Sequence, residues 1–218
     1  MKRIFLTIIV VLGVLAINSC GSNISPNDYE LSEDGKTLVK WLNEETVSIN
    51  MEKDEVLKNV TAIGKIAFVG KKKLVSIIFP KGLIDIGESA FEGCSKLESI
   101  EIPEGITVIQ EAAFIDCSSL SSVRLPNSLI KIEAAAFQWC EVLSDLVIPK
   151  NVEELGSDCF NPCRKLTTIT FEGERPPFIN GAFREGILKK VYVPKHSVNL
   201  YKFAYRDTYF EKLIREKP

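Results

Sequence analysis

The sequence predicts a solenoid of short stacked coils, and three observations carry that prediction. Phe occupies positions 68, 91, 114, 137, 160 and 183, five successive steps of 23 residues that use half of the 12 Phe in the chain. Neighbouring columns keep the same step: Ala67, Ala90, Ala113, Ala136, Cys159 and Ala182 precede the Phe, Leu74, Leu97, Leu120, Leu143 and Leu166 follow it, and Ile63, Ile86, Ile109, Ile132 and Leu155 form another. Pro80, Pro103, Pro126 and Pro149, and likewise Cys94, Cys117, Cys140 and Cys163, recur on this period. A unit of 23 residues cannot bury its apolar side alone, so stacking must turn each column into a continuous buried spine.

Taken in order, the chain opens with Lys2 and Arg3, an apolar run from Ile4 to Ile17, and Asn18-Ser19-Cys20. Fourteen apolar residues at about 1.5 Å each reach roughly 21 Å, short of a hydrocarbon core of about 30 Å, so residues 1–19 read as a secretion signal and not as a membrane span. Ile17-Asn18-Ser19-Cys20 resembles a bacterial lipoprotein signal, which implies acylation of Cys20; the alternative is ordinary cleavage nearby with Cys20 an incidental thiol. Residues 20–27 then form the lipidated Cys and a small, polar, flexible tether. Residues 28–56 read as an opening cap, with Asp34-Gly35 as the turn of a hairpin between Tyr29-Glu30-Leu31 and Leu38-Val39-Lys40-Trp41.

Within a repeat, Leu97-Glu98-Ser99-Ile100-Glu101-Ile102-Pro103 places Ile100 and Ile102 on one face of a short strand that Pro103 ends. Ile106 and Ile109 follow, and Glu111 to Cys117 is long enough for one or two helical turns. The last unit loses one residue, Pro176 and Pro177 mark an altered loop, and the repeats fill residues 57–194. Residues 195–218 close the chain, with apolar positions 198, 201, 205, 210, 213 and 214 at helical spacing.

From Leu97 onward, Ile100, Ile102, Pro103, Ile106, Ile109, Ala113, Phe114 and Cys117 meet the pattern L-x-x-L-x-L-P-x-x-L-x-x-I-x-x-x-A-F-x-x-C. This resembles the BspA-like, or treponemal-type, leucine-rich repeat. The resemblance implies a leucine-rich-repeat solenoid, α/β or mainly β, of about six coils with a parallel sheet of short strands, a hairpin cap before it and a helical cap after it. It also implies roles in adhesion to host proteins or other cells.

Composition excludes several chemistries. There are 27 basic and 29 acidic residues, and loss of residues 1–19 leaves 25 against 29, a mildly acidic product poorly suited to nucleic acid. His occurs once, at 196, so multi-His metal sites are absent and His-dependent catalysis has no base in the repeats. Four thiols one coil apart form a line, whereas zinc needs a tetrahedron. The Cys column reads as buried free thiols, with a disulfide between neighbouring coils as the alternative. No nucleophile, base and oxyanion set assembles, so we expect neither an enzyme nor a cofactor.

Function is expected on the outward side chains of the stacked strands. These columns are Ser76, Ser99, Ser122, Asp145, Thr168, Lys190 and Ile78, Glu101, Arg124, Val147, Thr170, Tyr192. They predict a flat, broadly neutral surface, with Glu101, Arg124, Asp145, Val147 and Tyr192 as the candidate ligand residues. Such a surface suits a protein or cell-surface polymer more than a small molecule. The sequence reading is an exported protein anchored to the membrane through Cys20, in the cell envelope and at the outer membrane, on its surface or periplasmic face, that acts as an adhesin-like interaction module. Its rival is an accessory envelope lipoprotein that scaffolds partner subunits or glycan capture.

Overall fold

The computed structural model describes residues 24–183 and 186–218, so the leader and the lipidation expected at Cys20 lie outside the described residues. Among the described residues no helix is long and apolar enough to cross a membrane. Order begins earlier than a flexible tether would allow. Ser25 caps a short 3-10 turn at Pro26–Asp28, its amide donating to Asp28 Oδ2 at 2.8 Å, and Ile24 packs against the core.

The chain forms β1 (Tyr29–Leu31), β2 (Thr37–Trp41), β3 (Ser48–Asn50), β4 (Ala62–Ile63), β5 (Ser76–Ile78), β6 (Asp85–Ile86), β7 (Ser99–Glu101), β8 (Val108–Ile109) and β9 (Ser122–Arg124). These are followed by β10 (Lys131–Ile132), β11 (Asp145–Ile148), β12 (Glu154–Leu155), β13 (Thr168–Phe171), β14 (Phe178–Ile179), β15 (Lys190–Val193), α1 (Val198–Ala204) and β16 (Ile214–Glu216). Each coil thus has two short strands, where the sequence reading recognised one.

The longer strands stack in parallel, with β11, β13, β15 and β16 in one sheet and β3–β5 and β7–β9 as pairs. The shorter strands form a second set, β2-β4-β6 and β8-β10-β12-β14, with β1 antiparallel to β2 across a turn in which Gly35 takes φ 69°. That second ladder is interrupted between β6 and β8, at the step where Gly64 and Gly87 give way to Gln110. Gly87 has no room for a side chain, since a Cβ would lie 2.7 Å from the Lys65 nitrogen. Close backbone approach, and not a positive φ, accounts for that glycine.

The stretch Glu111 to Cys117 is not helical. Ala112 and Asp116 take φ of 54° and 57°, which a right-handed helix does not admit. The same conformation recurs at Ile66, Ser89, Ala135, Asp158 and Gly181, and at Gly70, Gly93 and Trp139. These bends turn alternate amides toward the next coil. Ala112, Phe114 and Asp116 donate to the carbonyls of Ala134, Ala136 and Gln138 at 3.0, 2.8 and 2.8 Å. The ladder through the stack takes these alternate amides, while Ala113, Ile115 and Cys117 close turns onto the carbonyls of Gln110, Ala112 and Phe114 within the coil, so no run of helical bonds forms.

Packing follows the columns. Phe68, Phe91, Phe114, Phe137, Phe160 and Phe183 stack ring on ring at 4.7–5.5 Å, their planes within 9°. The caps continue the stack: Trp41 lies 5.6 Å from Phe68 with Tyr29 beyond it, and Phe210 lies 5.2 Å from Phe183. The cysteines at 94, 117, 140, 159 and 163 are buried and free. The helical spacing expected to the end of the chain holds only through α1. Asp207 turns the backbone to φ 63°, and Ile214 enters β16, which pairs with β15 and extends the sheet. Tyr201, on the buried face of α1, directs its hydroxyl to the carbonyls of Gly173 and Arg175 at 2.9 and 3.0 Å.

Candidate binding surface

Alternation along each longer strand sends one residue inward and its neighbours out. On β11, Leu146 and Ile148 are buried while Asp145 and Val147 face solvent. Parallel register then lines the outward residues up from coil to coil. Glu101 stands opposite Arg124, Val147 opposite Thr170, and Thr170 opposite Tyr192. The columns extend beyond the six expected members, because β3 adds Ser48 and Asn50 at one end and β16 adds Arg215 beside Tyr192 at the other.

The five candidate residues therefore share one face without forming one cluster. Glu101 and Arg124 are ion-paired at 3.7 Å, but their side chains are 73% and 79% exposed, so water screens the pair and it adds little to stability. Asp145 accepts the Ser144 hydroxyl at 2.6 Å. Val147 is exposed and apolar, and Tyr192 is half-buried. Glu101 and Tyr192 are four strands apart, about 19 Å at ordinary strand spacing.

This face is not uniformly flat. No ladder joins β9 to β11, and a cleft of about 460 Å³ opens there, lined by Ser122, Val123, Arg124, Leu125, Asn127, Val147, Pro149 and Glu172. The inward positions of this coil are its weak point. Val123 and Leu125 are only partly buried, whereas Ile100, Ile102, Leu146 and Ile148 at the equivalent places are no more than 3% exposed. No sequence signal marked this gap: Val123 shares its column with Val191, which is fully buried, and Asn127, Pro149 and Glu172 carried none.

The thiols offer no reactive centre. Burial pushes Cys94 and Cys163 up to about 12 and holds Cys117, Cys140 and Cys159 well above their ordinary value. Cys94, Cys117, Cys140 and Cys163 each donate an S–H to the Phe carbonyl one coil back, at 3.2–3.5 Å. His196 is exposed in the closing segment, and among the described residues no group of three or more His, Cys, Asp or Glu could hold a metal ion.

A family model for the BspA-type leucine-rich repeat region matches residues 46–160 and 84–213, with six copies. The chain belongs to the BspA-type leucine-rich repeat family. Among solved structures, the leucine-rich repeat protein of T. pallidum is 28% identical, with 83% of this chain and 90% of that chain covered and a TM-score of 0.62. A leucine-rich repeat protein from Bacteroides ovatus is 31% identical over 77% of this chain, with a TM-score of 0.59, and this chain spans only 45% of it. A comparison with curated proteins yields no match. The BspA-type repeat points to protein–protein interaction or a surface-protein role, in a family whose members are typically bacterial surface or envelope proteins, and its fold is typically non-catalytic.

Proposed function

We propose that this protein is an exported, lipid-anchored interaction module, adhesin-like, that docks a protein or cell-surface polymer on the outward strand face. The observation that carries this reading is the cleft between β9 and β11, where Arg124, Val147 and Glu172 bring a cation, an apolar side chain and a carboxylate to one opening. Exposed Val147 and Ile78 supply apolar contact, Tyr192 an aromatic one, and the charges of both signs supply orientation.

The test joins binding to address. The chain without its leader is screened against immobilised extracellular-matrix proteins and against whole cells. A bound partner should be lost, at least tenfold in affinity, when Glu101, Arg124, Asp145 and Tyr192 are changed together. Intact producing cells are shaved with protease, with a periplasmic protein as internal control. Loss of this protein while the control survives supports outward display. Protection until the outer membrane is opened, with envelope proteins co-purifying, replaces the adhesin by an accessory scaffold. Labelled palmitate on the wild type, absent from Cys20→Ala, tests the anchor.

A further inference from the structure

A second opening lies on the turn side of the coils. Along the column formed by Gly70, Gly93, Asp116 and Trp139, the first two members have no side chain and approach each other closely: a Cβ on Gly93 would lie 3.7 Å from the Gly70 Cα. The later two do have side chains, so a trough of about 380 Å³ runs over the early coils, with Val69 and Ile115 in its walls and Trp139 at its end. Trp139 is 41% exposed and held at φ 64°. Its indole is met by the Arg164 guanidinium at 5.9 Å, and Arg164 is in turn held by Glu141 at 3.2 Å.

The charge in the trough has one sign. Glu92 and Asp116 line it, no basic side chain does, and among the described residues neither carboxylate forms an ion pair. Lys71, next in sequence to Gly70, is buried and paired with Glu44. An elongated trough with a glycine floor, two uncompensated carboxylates and an aromatic end complements an extended cationic chain. Carboxylates take the charge, and the indole takes the aliphatic stem or the planar guanidinium, as it already does with Arg164.

We infer that this trough binds a basic peptide segment, an Arg or Lys side chain lying between Glu92 and Asp116 with its shaft against Trp139. The site is separate from the strand face and stands whether or not that face binds a partner. The test is calorimetric titration of the full chain in detergent with an acetylated, amidated Gly-Arg-Gly-Arg-Gly peptide, the same peptide with citrulline for arginine, and a neutral N-acetylglucosamine oligomer. The arginine peptide should bind at least tenfold more tightly than the citrulline one. The double change Glu92→Gln with Asp116→Asn, Trp139→Ala, and Gly93→Asn, which keeps a residue suited to positive φ but fills the floor, should each weaken binding at least fivefold. Glu101→Gln on the strand face should leave it unchanged. Equal binding of the two peptides, equal loss in Glu101→Gln, or binding of the oligosaccharide alone would overturn the assignment. Circular dichroism of each variant separates loss of the site from loss of the fold.

Discussion

A buried thiol in this protein is a hydrogen-bond donor first. Each repeat Cys except Cys159 closes an S–H bond onto the Phe carbonyl of the preceding coil, and burial keeps all five protonated beyond the ordinary thiol range. The sign of the pH dependence follows. An unfolded thiol ionises near 9.0, whereas Cys94 and Cys163 in the folded chain hold their protons to about 12. Their contribution to stability is fully present below pH 9 and is lost as pH rises through the folded values. Urea midpoints should therefore fall between pH 8 and pH 10.5, and fall less in Cys117→Ala with Cys140→Ala. Iodoacetamide at pH 8 should leave all five unlabelled until urea is added. That these thiols would be free and buried was legible in their fixed period. Trp139 was not, because its position in the period belongs to Gly in two coils and Asp in a third, and a column that varies in type hides its shared backbone conformation.

Among the elements, the turn run after each second strand departs most from what periodicity suggests. Ala-Ala-Phe reads as helix because its two Ala favour helix. The intercoil amide ladder overrides that preference by holding two residues in each of the first four coils, such as Ala112 and Asp116, in the left-handed region. Ile66 occupies that position at φ 55°, where a β-branched side chain is strained, and half of its surface is exposed. Ile66→Asn should raise stability by about 0.5–1 kcal/mol, since left-handed backbone costs an ordinary L-residue about 1–2 kcal/mol and Asn less. The urea midpoint reads this directly. The longer strands were legible in their L-x-x-I-x-I spacing and the shorter second strands were not, nor was the cleft between β9 and β11, where Val123 and Leu125 are both only partly buried. Val123→Ile should bury that position, narrow the cleft and weaken partner binding while leaving or raising stability; calorimetry and thermal melts of one variant give both answers.

Over the whole molecule, one aromatic stack runs from Tyr29 through the six Phe to Phe210, so the caps are continuous with the repeats. The six Phe were plain in the sequence. Trp41 and Phe210 were not, because they join the stack from outside the 23-residue step. Phe114→Ala, in the middle, should cost about 3–5 kcal/mol. Tyr201→Phe, at the closing end, should cost about 1–3 kcal/mol by leaving the Gly173 and Arg175 carbonyls without their donor. Chemical denaturation of both variants tests whether middle and end belong to one cooperative unit, which coincident fluorescence and circular dichroism transitions would establish. The turn ladder has a further property. Its amides at Trp41, Phe68, Phe91, Phe114, Phe137 and Phe160 all donate toward the following coil. Peptide dipoles so aligned add along the stack, as they do along a helix. The turn side of the coils thus has an electrical direction of its own, opposed by the row beside it, where Gly87, Glu133 and Gly156 donate back to Ile63, Ile109 and Ile132 of the preceding coil.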